Sequence, residues 1–352
     1  MLIRTNSVKG PVKKARSSSL ARRKSAADRE AGSRRASKRG LVVGVDIGGS
    51  NLRVALADLQ GNMLARWNTS TRATSSAEMV IAQIEQGVDS LLAECSSSRR
   101  SLVSVAAGAP GVTDSGAGIV LATSYLKGWK NVPLQDLLES ALGVPATIEN
   151  DVRMAALGEH WVGAARGVDD FVFLAIGTGI AAGIFANGKL IHGANWTAGE
   201  VGYMYVPGAT EEPARHGAPG SLERAIGGGG IPQKWLEACK ADRGSENLTA
   251  TEIFARVSAG DRLAKSVLDH TAQLLAYAVY NISLVLNSSL FVLGGGIGVS
   301  IPLSDATERV LKQYEEPSRP KLVISSLGKD AQLMGAIRLA LRKAQTCSQR
   351  GA

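Results

Sequence analysis

From residue 41 onward the apolar positions follow two rhythms. LVVGVDIGGSNLRVALADLQGNML begins as a continuous apolar run, breaks at glycines, and resumes as an alternating run up to Gln60-Gly61-Asn62, which predicts strand, turn, strand. Helical spacing runs through AEMVIAQIEQGVDSLLAE. SLVSVAAGAPG reads as a buried strand ending in a tight turn, PLQDLLESAL as a helix, and VPATIEND as a strand whose end carries carboxylates, followed by a helix in VRMAALGEHWVGAA. FVFLAIGTGIAAGIFANGKLI repeats the opening: an apolar strand, a Gly-Thr-Gly turn, a second apolar strand, and Asn187-Gly188 as a hairpin turn. Two helices cover TEIFARVSAGDRLAKSVLDHTAQLLAYAVYNISLVLN. LFVLGGGIG is another strand and glycine loop, and KLVISSL with AQLMGAIRLALRKA is a last strand and helix. Both halves open on a glycine-turned hairpin, which predicts a duplicated α/β unit.

With 352 residues, 45% of them hydrophobic, the chain is long enough to bury a sizeable core in one large or two medium domains. The net charge of +9 points toward nucleic acid until it is located. Residues 1–40 hold thirteen Lys/Arg and two Asp/Glu, a balance of +11, leaving 27 basic and 29 acidic residues, or −2, for the rest. A Ser/Arg/Lys-rich stretch this poor in apolar residues cannot offset its ordering entropy, so residues 1–38 are expected to be a disordered basic tail. A solvated extension, an early start codon, a tether to nucleic acid or a membrane surface, and a targeting peptide all remain open for it; Asp28, Glu30 and the lack of an amphipathic stripe weigh against the last. Cys95, Cys239 and Cys347 are isolated, which fits a reducing, cytoplasmic setting and offers no disulfide or zinc framework. No run approaches 18 apolar residues, so no membrane span is expected.

Glycines at a strand end permit positive φ and let backbone N–H groups converge on an anion. Three such loops follow apolar strands: Asp46-Ile47-Gly48-Gly49-Ser50, Gly177-Thr178-Gly179 and Gly294-Gly295-Gly296. The first leads into a strand, whereas GxGxxG and Walker A loops open helices, so neither of those nucleotide signatures applies. Ligands of open α/β sheets bind beyond the carboxyl ends of strands, so the loops are placed to surround one nucleotide in a cleft, with Asp46 beside its phosphates.

DIGGSN, AGAPG, LKGWKNVPL, ENDVRMAALGEHWVGAARG, GTGIAAG, AGEVG, SLE and LGGGIG fall in the order of the ROK family (repressors, open reading frames and sugar kinases), which the chain resembles from about Leu41 to Leu341. The resemblance implies an α/β, two-lobed actin-like ATPase (ribonuclease H-like) fold with a cleft between duplicated lobes. It divides the chain into 41–149 plus the helix 331–345, and 150–330. It implies ATP-dependent phosphorylation of a hexose, glucose foremost, with fructose, mannose, allose or an N-acetylhexosamine as alternatives. A sugar-responsive repressor is the other branch, but residues 1–40 are too short and polar for a winged helix-turn-helix, so no specific nucleic-acid binding is expected.

By the same resemblance Asp151 is the catalytic base, although an N-cap role explains an aspartate there equally well. Asn150, Glu200, Glu223 and Tyr203 fall at sugar-binding positions, and Glu159 reads as a surface helix residue. Asp46, Gly48, Gly49, Ser50, Asn51, Gly177, Thr178, Gly179, Gly294, Gly295 and Gly296 would hold ATP, with Asp46 on Mg²⁺ through water. A homodimer is implied, for which the apolar helices between 261 and 286 offer a surface, although core burial explains them as well. Three departures stand out. The family's zinc-binding histidine is Tyr203 here, and its three cysteines fall at Ala214, His216 and Ser221, so no structural zinc is expected. Tyr125 stands where a sugar-contacting Asn is common, and Ala181 and Ala182 replace two glycines of the second loop.

Overall fold

The computed structural model describes residues 40–71, 76–212, 214, 218–239, 247–315 and 319–350. The basic tail 1–38, His216 and Gly217 lie outside the described residues. In chain order the strands are β1 (Leu41–Ile47), β2 (Asn51–Asp58), β3 (Met63–Ser70), β4 (Leu102–Ala109), β5 (Val112–Asp114), β6 (Ile119–Ala122), β7 (Lys130–Val132), β8 (Ala146–Asn150), β9 (Phe171–Ile176), β10 (Ile180–Ala186), β11 (Lys189–Leu190), β12 (Leu290–Gly294) and β13 (Lys321–Ile324). The α-helices are α1 (Ala77–Glu94), α2 (Leu134–Leu142), α3 (Asp151–Val162), α4 (Ser221–Ile226), α5 (Gly230–Cys239), α6 (Ala250–Ser258), α7 (Arg262–Leu286), α8 (Gly295–Gly298), α9 (Ile301–Leu311) and α10 (Ala331–Arg350).

Two five-stranded sheets carry one topology. The first runs β3-β2-β1-β4-β8 and the second β11-β10-β9-β12-β13. In each, the opening strand pairs antiparallel with the next, through Asp46↔Arg53 or Ile180↔Ile176, and parallel with a later strand across the sheet. The duplication expected from the two glycine-turned hairpins is therefore present in the pairing itself. Patterning explains the placement of strands: every residue of LVVGVDI in central β1 is buried, while edge strand β3 alternates strictly between half-buried and exposed. Asn187 and Gly188 both adopt positive φ, 51° and 69°, as a two-residue hairpin turn between β10 and β11 requires. The small sheet β5-β6-β7 is formed by the stretch of chain between β4 and β8, which themselves pair directly.

Helix α1 packs one face, with Val80, Ile84, Val88 and Leu91 at helical spacing, into the first sheet's core. Each such fully buried aliphatic side chain contributes about 1.5–3 kcal/mol. The other face of that sheet is covered by α10, whose Leu333, Ile337, Ala340 and Leu341 pack on Val42, Ala55, Ala57 and Ala106. Most apolar residues of α7 enter the second lobe's core, although Leu284 and Val285 near its end face outward. Among the described residues no helix is long and apolar enough to cross a membrane.

Helices α3 and α10 cross where both lack side chains. A methyl group on Gly158 would lie 2.2 Å from the Ala331 carbonyl oxygen, and one on Gly335 only 1.8 Å from that of Met154. The backbones touch there, so only glycine fits. Glu159, expected on the surface, is fully buried instead. Its carboxylate accepts from Ala164 N at 2.6 Å, Leu327 N at 3.2 Å and the Ser325 hydroxyl. These donors replace the water that a buried carboxylate loses. Helical periodicity alone does not disclose them, because they come from loops on either side.

Candidate active site

The carboxyl end of β8 delivers Asn150 and Asp151 to the start of α3, facing the β1–β2 turn. Asn150, and not Asp151, is the N-cap: its Oδ1 accepts from Val152 N and Arg153 N, both at 3.0 Å. Its Nδ2 donates to the Gly111 carbonyl at 2.9 Å and to Asp151 Oδ1 at 3.1 Å. Asp151 Oδ1 also accepts from Val152 N at 2.9 Å, which fixes the carboxylate and leaves Oδ2 without a hydrogen bond to the described residues. Burial, the negative charge of Asp46 and that of Glu200 push the Asp151 carboxyl up to about 7, against opposing backbone hydrogen bonds. Asp46 is itself buried, and burial raises its carboxyl while Arg53 partly offsets the rise. Arg53 Nε donates to Asp46 Oδ2 at 2.7 Å, across the antiparallel pair that closes the first glycine turn.

Beneath these residues lies a buried ion pair. Arg153 Nε meets Glu149 Oε1 at 2.8 Å, and His192 Nε2 meets Glu149 Oε2 at 2.7 Å. Burial pushes the Glu149 carboxyl up, but His192, Arg153 and the Asn150 amide outweigh it and hold it below the ordinary range. Arg153 also donates to the Trp196 carbonyl at 3.0 Å, binding α3 to the loop that leads to Glu200. Residues 149–153 thus fix Asp151 from below through the Asn150 cap. The i,i+4 spacing of Glu149 and Arg153 was visible in ENDVR; the burial that gives the pair its weight was not.

On the facing side stand Glu200, Glu223, Tyr203 and Tyr125. Glu223 Oε2 accepts from Ile180 N at 2.8 Å, holding the end of the Gly177-Thr178-Gly179 turn. Tyr125 spans the cleft: a methyl group on Gly49 would lie 3.3 Å from its Cβ, and one on Gly179 would lie 2.8 Å from its hydroxyl and 2.6 Å from Glu223 Oε2. Burial raises the Tyr125 phenol, helped by the charges of Glu223, Asp151 and Glu200. Tyr203 stands half exposed, with its phenol raised by burial and by Glu200 and Glu223. Described residues 204–212 and 221–224 are tied to each other directly. Leu222 N donates to the Met204 carbonyl, Ser221 Oγ to that of Thr210, and Arg224 to that of Glu212. Ser221, at a position the resemblance gives to a cysteine, therefore holds the segment through a hydroxyl.

The glycine loops divide their work. Gly177, Thr178 and Gly296 line a cavity of about 440 Å³ with Gly228, Gly229, Ile297 and the capped start of α6, Thr249–Thr251. Gly294 and Gly295 serve packing: a methyl group on either would strike the Phe173 ring or the Ile176 carbonyl. Gly48, Gly49, Ser50 and Asn51 form the turn between β1 and β2, closed by Gly48 N donating to Asn51 O at 2.9 Å. Thr249–Thr251, Gly228 and Gly229 were missed by the sequence reading, although the run Gly227–Gly230 was a visible signal.

A duplicated 3-2-1-4-5 sheet, a carboxylate at the lobe junction and glycine loops around a cleft define a two-lobed α/β protein of the actin-like sugar kinase class. The ROK family model matches residues 42–343, and the chain belongs to that family. It is 31% identical over 309 residues to the glucokinase of Halalkalibacterium halodurans, covering 83% of this chain and 92% of that protein. Identity to the glucokinase of Thermotoga maritima is also 31%, over 84% of this chain and 95% of that one. The crystal structure of a ROK family glucokinase from Streptomyces griseus in complex with glucose and AMPPNP superposes with a TM-score of 0.71 at 25% identity, covering 86% of this chain and 100% of that one.

Proposed function

We propose that the chain is an ATP-dependent hexokinase that transfers the γ-phosphate of ATP to a hydroxyl of glucose. The observation that carries this reading is Asp151: a carboxylate held by its neighbours at Oδ1, open at Oδ2, and set between the first glycine turn and the carboxylates Glu200 and Glu223. The two glucokinases and the glucose and AMPPNP complex support it.

Phosphoryl transfer asks the protein to align an attacking oxygen with the γ-phosphorus, stabilise equatorial charge and accept one proton. In this reading Asp151 Oδ2 accepts the sugar hydroxyl's proton as the oxygen forms its bond to phosphorus and the bond to the ADP oxygen breaks. Glu200, Glu223 and Asn150 orient the sugar by pairing with its hydroxyls, Asn150 exchanging one of its present partners. The cavity at Gly177, Thr178 and Gly296 takes the nucleotide, and Gly48 to Asn51 face its phosphates. Magnesium suits hard carboxylate oxygens, and Asp46, whose Oδ2 already accepts from Arg53, would hold the ion through water rather than directly. When bound, it neutralises phosphate charge. A homodimer, a cytoplasmic setting and the absence of specific nucleic-acid binding belong to the same reading.

Because the Asp151 carboxyl is raised to about 7, it is protonated and unable to accept a proton below that pH and ionised above it. The kcat/KM for sugar is expected to rise with pH through a midpoint near 7, as a pH profile of initial rates measures. A flat profile between pH 5.5 and 8.5 contradicts the assignment.

The function itself is tested by coupled ADP release with MgATP and a panel of hexoses and N-acetylhexosamines, with and without a zinc chelator. Chelator-resistant turnover on glucose is expected; a folded protein inactive on every sugar refutes the kinase reading. The two tyrosines favour a second reading, a kinase for another hexose; the kcat/KM ranking of sugars across the panel separates the two readings, and Tyr125→Ala tests whether that residue sets the ranking. Its hydroxyl beside Glu223 makes it a wall of the sugar site, so the variant is expected to change the ranking of sugars by about tenfold or more in kcat/KM. An unchanged ranking removes Tyr125 from specificity.

A further inference from the structure

A second cavity, of about 330 Å³, opens in the second lobe away from the catalytic aspartate, between α4, α5, α7 and the segment at 208–210. Of its lining residues, Arg224, the residue after Glu223, and Thr210, whose carbonyl accepts from Ser221, also enter the site described above. Its lining is sorted by chemistry. Arg224, Lys234 and His270 supply cationic or N–H donor groups; Thr210 and Gln233 supply neutral polar groups, and Glu237 a carboxylate to which Gln233 Nε2 donates at 3.1 Å. The Arg224 Nε is buried and has no hydrogen-bond partner among the described residues, although Nη2 donates to the Glu212 carbonyl. A buried guanidinium N–H without an acceptor is costly, and a ligand oxygen would satisfy it. Burial, with Lys234 adding to it, pushes the His270 imidazole down, so the space is bounded by the Lys234 ammonium, the Arg224 guanidinium whose Nη1 lies 3.8 Å from the Glu212 carboxylate, a neutral ring, and the Glu237 carboxylate.

We propose that this cavity binds a phosphate monoester of a sugar, with the phosphate on Arg224, Lys234 and His270 and the hydroxyls on Glu237, Gln233 and Thr210. Arginine and lysine together suit a compact dianion, and a carboxylate–amide pair suits vicinal hydroxyls, which a bare anion lacks. The volume lies within the range of small-ligand sites. The site adjoins the catalytic cleft through one peptide bond: Glu223 holds Ile180 N of the second glycine turn, while Arg224 faces the cavity. This inference goes beyond the kinase reading, and its test does not depend on turnover.

Titration calorimetry on the full chain, with glucose and AMPPNP both saturating, uses glucose 6-phosphate and inorganic phosphate as probes. Glucose 6-phosphate is expected to bind with the cleft filled, at least tenfold tighter than inorganic phosphate. Lys234→Ala, an exposed position whose loss leaves the core intact, is expected to weaken glucose 6-phosphate binding at least tenfold with an unchanged melting temperature; Gln233→Ala should weaken glucose 6-phosphate but not phosphate. No binding, or binding that disappears when the cleft is filled, overturns the proposal. So does equal affinity for the two probes, or unaltered affinity in Lys234→Ala.

Discussion

Asp151→Asn is expected to lower kcat by about 10²–10⁴-fold, the range for removal of a positioned general base. Asparagine keeps the shape and an oxygen able to accept from Val152 N, so the cap at Asn150 and the turn into α3 should persist. It removes a charge that burial and Asp46 already disfavour, so the melting temperature should stay the same or rise. Sugar affinity, read by tryptophan fluorescence or calorimetry, should remain within a few fold. A variant with turnover within tenfold of wild type would remove Asp151 as the base, whatever its binding.

Arg153→Met is expected to cost about 3–5 kcal/mol of stability, as for other buried pairs deprived of one partner. Both members are nearly inaccessible, with side chains 3% and 5% exposed, so Glu149 would keep a buried charge with only His192 and the Asn150 amide against it. The link to the Trp196 carbonyl would go too, loosening the loop that carries Glu200. Urea unfolding measures the loss. Adding Glu149→Gln to the variant should recover part of it, because the uncompensated charge is then gone; a double variant no more stable than the single one would show that packing, not charge, dominates at this position.

The strand–turn–strand openings of both lobes were legible because their signals are local: continuous or alternating apolar runs, and glycines where the turns need them. Asp46 and the carboxylates of VPATIEND were legible in the same local way, as polar residues closing apolar runs, whereas the roles expected of Asn150 and Asp151 came from the family resemblance. The small sheet was not, since three- and four-residue strands such as Val112–Asp114 leave too little pattern to read. Nor was the place of Glu159, where burial rests on donors from residues 164 and 325–327. Arg53 lies only seven residues from Asp46, yet its contact follows from strand register, not from spacing. The cavity wall at Thr249–Thr251 comes from a helix more than seventy residues after the glycine turn it faces, a relation only tertiary packing creates.

The bare crossing of α3 and α10 has a consequence for how the two lobes are held apart. Helix α3 begins with Asp151, the proposed base, and α10 covers the first sheet, so the distance between their axes sets how that carboxylate sits relative to the turn bearing Asp46. At Gly158 and Gly335 that distance is defined by two missing methyl groups. Any side chain there acts as a shim, and its thickness becomes the spacing error of the catalytic centre. The alignment of the site is thus written partly in residues that touch neither sugar nor nucleotide and that carry no side chain at all.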